Sequence, residues 1–402
     1  MQLKKIKILH LTFSEHFGGA NISAYRIHES LKLNNIDSKI LVLDRTKKNQ
    51  NNKSILSYKS KDSFLHIIKN YFVKILDLTI KNNCQNSLNI FNSGLGKFIN
   101  NMDIDIVNLH WINNEMISIK EISDIKKPIV WTLHDMWAFC GSEHYPLNKR
   151  FINGYTNLNN NSQGIDIPKF IWLNKKKYLK KKKITFIAPS LWMLTRLKKS
   201  NLFKKHKKYL IRSPFKVNNS RLINYKKNDK IKLVFCAFNC FSDKRKGFEK
   251  LKKVLNKLRK KYNFELITIG EGENNYKNVK FKIRNIGYIS QKKILEYFSR
   301  SDALVIPSYS DNFPNVATDA MSRGLPVICD KNCGTSEIIK NYKNGLVLKE
   351  FDVKNFEKAF KWFMKKEIDK KAIRQNILEL ISYKKTSIEY MKVYRKILNA
   401  QI

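Results

Sequence analysis

Residues 302–330 read DALVIPSYSDNFPNVATDAMSRGLPVICD, and the changes of character along this stretch decide the fold. Ala303 to Pro307 is a short apolar run of the buried-strand type. A polar loop follows, Ser308 to Asn315. Pro314 suits the first turn of a helix, where its missing N–H leaves nothing unsatisfied. Val316, Ala317, Ala320 and Met321 supply that helix with an apolar face, and Gly324 ends it. Pro326 to Cys329 is a second strand. Strand, loop, helix, strand is a βαβ crossover, and a ligand of such a unit lies beyond the carboxyl end of the first strand. Asp311 in the loop and Asp319 in the helix stand at that end, where both can face one cleft.

The same alternation extends outward in both directions. Ile231 to Ala237 reads as a strand, Phe248 to Tyr262 as a helix and Phe264 to Ile269 as a strand running into Gly270-Glu271-Gly272. Ile286 to Ile289 continues the series, followed by a helix over Lys292 to Phe298, and the part from Lys354 onward is largely helical in pattern. In the first half, Ile6 to Phe13 is a strand, Phe17-Gly18-Gly19-Ala20 a tight turn, Asn21 to Leu33 a helix and Lys39 to Asp44 a strand. Gly18 and Gly19 let backbone N–H groups and the positive helix end approach an anion. Asp105 to Leu109 and Pro128 to Leu133 are strands that run into His110 and His134, and Thr185 to Ala188 is another. The Asp103-Ile104-Asp105 triplet lies at a strand's N-terminal edge, the wrong end for a ligand. Residues 213–230 are polar and unpatterned and read as a linker. The fold class is therefore α/β, with two Rossmann-like doubly wound domains, 1–212 and 231–383, facing a central cleft.

Composition bounds the function. A chain of 402 residues exceeds what one core usually serves. Its 78 Lys and Arg against 33 Asp and Glu give a net charge of +45, which suits nucleic acid, an anionic membrane surface or anionic small molecules. The lysines are spread through the whole chain, as AT-rich coding would spread them. Six cysteines carry no CxxC or zinc spacing, and a reducing cytoplasm is expected. No window approaches 18 uninterrupted apolar residues. Residues 63–80 form an amphipathic pattern, read as a core-packed helix with a basic interfacial helix as the alternative. The lysine run 175–183 reads as a mainly solvated face.

Two groups carry binding chemistry. Lys244-Arg245-Lys246-Gly247 sits between a strand and a helix, where an Arg fork and a Lys point charge can clamp a phosphate. Asp319 is suited to accept hydrogen bonds from two vicinal ribose hydroxyls, and Asp311 to do the same for a sugar. Pro314 and Asn315 open a helix towards a second phosphate or a hydroxyl.

With these residues in view, the chain resembles the GT-B-fold retaining glycosyltransferases of family 4, and most of all the branch that builds bacterial exopolysaccharide, capsule and O-antigen. DNFPNVATDAMSRGLPVI matches the paired-acid motif, and Gly334 to Glu337 matches the G-x-x-E that follows. FGGAN, NLHW, TLHDMW and RKGF match further segments in order, and SIEYMKVYRKIL resembles the terminal helix that returns to the first domain, here 384–402. The resemblance implies sugar transfer from a nucleotide-diphospho-sugar to a lipid-linked oligosaccharide at the cytoplasmic membrane face, with no cofactor or metal and no nucleic-acid partner. It implies that Asp319 binds the ribose, Asp311 and Asn312 the donor sugar, and Phe313, Pro314 and Asn315 the donor through their backbone. It places Arg245 and Lys246 at the diphosphate, Gly18 and Gly19 beside the donor phosphate, and His134 by the transferred sugar. Both acids are Asp where the family usually has Glu at least second. Cys240 stands where many members carry Arg, and only Cys140 follows HDMW where the branch often has several cysteines. The alternatives are a nucleotide-sugar 2-epimerase of the same fold and a basic nucleic-acid-binding protein; the second has charge but no recognition module.

Overall fold

The computed structural model describes residues 5–400 apart from 16–17, 35, 45–50, 59–70, 72, 74, 77–79, 81–83, 161–164, 216–221, 223–229, 273–276 and 366–367. The chain divides into two compact units, one of residues 1–214 with 383–402 and one of residues 215–382. Most of the stretch read as a linker, and Phe17 of the glycine turn, lie outside the described residues, as does most of the amphipathic stretch 63–80. Of that stretch's described residues, Tyr71 and Ile75 are exposed, whereas Val73 and Leu76 pack against the core.

The first unit is built on seven parallel strands: β1 (Lys7–Leu11), β2 (Asp37–Val42), β3 (Ile55–Ser57), β4 (Ile106–Leu109), β5 (Ile129–Thr132), β6 (Ile184–Ala188) and β7 (Lys208–Leu210). They lie in the order β3-β2-β1-β4-β5-β6-β7. The order reverses at β1, between β2 and β4, which is the switch point where ligands of doubly wound sheets bind. The inner strands are apolar on both faces, as strands covered by helices on either side must be: all four residues of β4 and of β5 are buried. The covering helices include α1 (Gly19–Lys32), α2 (Leu95–Asn100), α3 (Ile119–Asp124), α4 (Arg150–Asn153), α5 (Ile167–Leu179) and α6 (Leu191–Lys199).

The second unit has six parallel strands: β8 (Ile231–Asn239), β9 (Phe264–Glu271), β10 (Lys282–Asn285), β11 (Ala303–Ile306), β12 (Val327–Asp330) and β13 (Gly345–Leu348). Their order is β10-β9-β8-β11-β12-β13, with the reversal between β8 and β11. Its helices are α7 (Phe248–Leu258), α8 (Gln291–Ser299), α9 (Asn315–Met321), α10 (Val353–Lys365) and α11 (Lys370–Ile381). The last helix, α12 (Tyr383–Asn399), belongs to the first unit and packs against α1.

The stretch 302–330 folds as read, into β11, α9 and β12. Two readings need correction. The strand placed at 286–289 is instead Lys282–Asn285: an edge strand needs few apolar residues, and β10 alternates exposed and half-buried side chains. The Ile286 N–H still bonds the Thr268 carbonyl at 2.9 Å, and the chain turns away at Gly287 with φ 75°. The stretch 46–62 is polar and rich in Lys and Asn, which reads as a surface loop, yet it contains edge strand β3, three residues long. The lysine run is mainly solvent-facing, as read, but it opens inside α5 with Lys175, which faces the core and is fully buried.

Candidate active site

In the second unit the basic cluster and the first acid meet at the switch point. After β8 the chain makes a 3-10 turn, Lys244–Lys246, and enters α7 through Gly247. Gly247 has φ 78°, and a Cβ there would lie 2.4 Å from the Pro307 carbonyl oxygen, so only glycine lets this turn sit against the end of β11. Asp243 caps the turn by accepting from the Arg245 N–H at 3.1 Å, and it also accepts from Arg245 Nη2 at 2.9 Å. Arg245 Nη1 donates to the Ser310 carbonyl at 3.0 Å, and the Tyr309 N–H donates back to the Arg245 carbonyl at 2.9 Å. The two loops are thus tied together through backbone and side chain.

Asp311 is the centre of this arrangement. Its carboxylate is buried, lies 2.6 Å from Lys246 Nζ and 3.5 Å from Arg245 Nη1, and accepts the Asn312 N–H at 3.0 Å. Burial alone would raise its pKa; the two cations and the backbone bond outweigh that, and the group stays below its ordinary value. Asn312 and Phe313 follow, both buried. Pro314 is the N-cap of α9 with ψ 127°, and Asn315 is its first residue. Asp319 lies one turn further, buried, with Gln291 Nε2 of α8 donating to it at 3.3 Å. Lys246, Asp311, Asn312, Phe313, Pro314, Asn315 and Asp319 therefore share one end of one sheet. Cys240 is buried at this end and donates its thiol to the Ala237 and Ile269 carbonyls at 3.4 and 3.2 Å. It serves packing between β8 and β9, leaving Arg245 and Lys246 as the cations beside Asp311.

In the first unit Gly18 is the N-cap of α1, with φ 88°, and Gly19 is the first helical residue. Among the described residues, a Cβ on Gly18 would meet Asn21 Nδ2 at 3.8 Å, an ordinary van der Waals contact. Asn21 is buried and holds the turn by accepting from Thr12 Oγ1 and, at 3.4 Å, from the Ser14 N–H.

His134 follows β5 and heads a chain of rings. His110 Nδ1 lies 3.0 Å from His134 Nε2, and His110 Nε2 lies 2.8 Å from His10 Nδ1. The rings of neighbours are stacked, with centroids 5.1 and 5.2 Å apart. They come from the carboxyl ends of three adjacent strands, β1, β4 and β5. His10 and His110 are buried, and burial holds both well below the ordinary imidazole value; His134 is half-buried and is lowered to about 4 by the same cause. The next residue, Asp135, fixes the loop. It accepts from Trp111 Nε1 at 3.0 Å and from the Trp137 N–H at 2.9 Å, and lies 2.6 Å from His144 Nδ1. His144 Nε2 in turn meets Ser87 Oγ at 2.9 Å. Behind it, Lys175 Nζ donates to the carbonyls of Trp137, Cys140 and Gly141 and lies 3.6 Å from the Trp137 ring centroid. Burial lowers this lysine to about 7, against the charges of Cys140, Glu143 and Asp135.

His10, His144 and Lys175 were not singled out by the sequence. The available signal was that each of three strands carries a histidine at or near its end, which in a parallel sheet brings the rings side by side. Lys175 gave no signal beyond a charge run in which one position faces inward. Among the described residues, no three His, Cys, Asp or Glu side chains are grouped to hold a metal ion.

Residues 222–379 match the family described as Glycosyl transferases group 1. The second unit is a group 1 glycosyl transferase domain. Curated relatives include an uncharacterized glycosyltransferase of Methanocaldococcus jannaschii, 30% identical over 109 residues, 25% of this chain and 28% of that one. An uncharacterized 41.2 kDa protein in the cps region of Klebsiella pneumoniae is 30% identical over 120 residues, 30% of this chain and 32% of its own. The chain thus spans about a quarter to a third of the length of the curated relatives it matches. Solved structures match it throughout. A glycosyltransferase from Rickettsia africae superposes with TM-score 0.66 at 16% identity, covering 98% of this chain and 99% of that one. Anabaena HepE in complex with UDP-glucose gives 0.65 at 12%, covering 97% and 100%. The lipopolysaccharide outer core galactosyltransferase WaaB gives 0.63 at 13%, covering 99% and 100%. The fold of the group 1 domain and of the unit before it is GT-B.

Proposed function

We propose that the chain is a retaining glycosyltransferase that moves a sugar from a nucleotide-diphospho-sugar to a lipid-linked saccharide during surface polysaccharide synthesis. The observation that carries this reading is the Lys246–Asp311 contact of 2.6 Å with Arg245 beside it, at the switch point of a group 1 domain and one helical turn from Asp319. A diphosphate arriving there replaces Asp311 as the partner of Lys246 and Arg245, and Asp311 is released to the hydroxyls of the donor sugar. Asp319 holds the ribose, with Gln291 orienting it. As the bond between the anomeric carbon and the diphosphate oxygen breaks, charge grows on the leaving oxygens, and these cations meet it without a metal ion. The acceptor oxygen joins the anomeric carbon on the same face, and its proton passes to the leaving phosphate. Gly18, Gly19 and His134 serve the donor from the first unit.

The UDP and UDP-glucose complexes of HepE support a nucleotide-sugar donor, and the cps-region and lipopolysaccharide relatives support a polysaccharide pathway. The net charge of +45 favours an anionic bilayer, and we place the enzyme on its cytoplasmic face. A thermal-shift screen against UDP-, GDP- and dTDP-sugars tests the donor. Lys246→Ala is expected to weaken binding of the stabilising donor by about 10- to 100-fold, the range for a charge-assisted hydrogen bond, and Asp319→Ala to reduce transfer of a labelled sugar. Unchanged donor affinity in the first and unchanged transfer in the second would remove both residues from the site.

A further inference from the structure

Three histidine rings in a row, each bonding the next through nitrogen, form a proton-counting problem with two solutions. His10 Nδ1 faces His110 Nε2 at 2.8 Å, and His110 Nδ1 faces His134 Nε2 at 3.0 Å. Each gap requires one proton, since two lone pairs or two N–H groups repel. A neutral ring carries one proton. Burial keeps the rings neutral, as an unpaired imidazolium has no water to solvate it. The charged or titratable groups around them are His28, which faces His10 edge-on at 6.0 Å, and Asp135 next to His134. His28 spends its nitrogens on Ser38 Oγ and Ser54 Oγ. So all three rings carry their proton on Nδ1, or all three carry it on Nε2. The two states differ only at the ends. In the Nε2 state, His10 Nε2–H is a buried donor, and this nitrogen has no partner among the described residues. In the Nδ1 state the same nitrogen is a bare lone pair, and the third proton sits on His134, the ring that reaches the surface. Orphaned buried N–H groups are rarer than under-satisfied acceptors.

We infer that His10 and His110 are positioning residues that hold His134 in its neutral Nδ1–H form, making it a hydrogen-bond donor at the site and not a proton acceptor. The consequence for transfer rests on the reading above; the tautomer does not. The experiment is nitrogen-15 NMR of the full chain labelled at histidine, between pH 5.5 and 8.5. Nδ1–H on His10, His110 and His134, with none of them titrating, is the expected result. Nε2–H on His134, or its ionisation in this range, overturns the inference. Two variants follow. His10→Asn keeps an amide N–H where Nδ1 stands and should retain the tautomer of His134 and the wild-type kcat. His10→Leu removes that donor, so His134 should show mixed tautomers and kcat should fall about tenfold, the size of one hydrogen bond, with the donor KM unchanged. Equal behaviour of the two variants overturns the positioning role. A wild-type chain that transfers no sugar from any nucleotide-sugar would defeat the proposed function while the tautomers still decide this inference.

Discussion

Lys175 illustrates how much a single side chain can depend on its neighbours. Its ammonium is wrapped by three carbonyls of the segment that follows Asp135, under the face of Trp137, and held at a pKa of about 7 by burial. In the unfolded chain it titrates near 10.5. Between these values the unfolded state binds a proton that the folded state does not, so stability rises with pH; below about 7 both states are charged and the dependence vanishes. From pH 7 to 9 the gain is about 2 kcal/mol. Lys175→Met should therefore flatten the pH dependence of urea unfolding in this window, so that the stability gained from pH 7 to 9 differs between the two proteins by about 2 kcal/mol. Burial raises Cys140 and Tyr155, which act in the opposite sense at higher pH, so the comparison belongs below pH 9. Parallel curves would mean the lysine titrates normally. Asp311 is lowered as well, but in a carboxyl the shift favours the charged form, so its contribution is present above the ordinary carboxylate range and is lost as pH falls through that range. The sequence offered Asp311 and Lys246 as separate candidates on separate loops. Their contact depends on Gly247 fitting against Pro307, a relation between two strands that no local pattern encodes.

At the scale of elements, what was legible is what repeats. Inner strands such as β4, β5 and β11 are buried on both faces and read as apolar runs, and α9 begins and ends at its proline and glycine. The edges were not legible. β3, β7 and β10 need to satisfy one neighbour and one face, so their composition is that of a loop. Helix α5 shows the same limit from the opposite direction. Its inner face carries Ile167, Ile171, Trp172, Lys175 and Leu179, while Phe170 and Leu173 are 53% and 43% exposed. At 100° per residue these two share a face with Lys169, Lys176, Lys177 and Lys180, and no acid stands among them. Apolar side chains set among lysines suit the headgroup boundary of an anionic bilayer. Replacing Phe170 and Leu173 by Ser together with Lys176 and Lys177 by Gln should reduce flotation with anionic vesicles by tenfold or more, at about 1 kcal/mol per cation near the surface, and leave donor binding untouched. Flotation equal to the parent would assign the positive charge to coding composition.

Across the whole molecule, two parallel sheets with their switch points were readable because βα repeats of similar length recur on both sides of a polar stretch. The return of the chain is the less local feature. α12 is separated from the rest of the first unit by all of the second, yet Tyr390 and Tyr394 are fully buried in it and Val393 nearly so. Tyr394 accepts from Asn108 Nδ2 at 2.8 Å, and Tyr390 lies 3.1 Å from Thr132 Oγ1, so the helix is bonded to β4 and β5, the strands that lead into His110 and His134. Burial of three such side chains is worth about 1.5–3 kcal/mol each, and their removal also leaves Asn108 and Thr132 buried without those partners. A chain ending at Ser382 should therefore lose the first unit by several kcal/mol, enough to unfold a marginally stable unit, and with it the order of the histidine chain. The second unit keeps its whole sheet and the Lys246–Asp311 pair. Calorimetry of the truncated chain should show one transition lost or far lowered, and the remaining one still raised by the donor that stabilises the full protein. Loss of both transitions together would mean the second unit does not stand without the first.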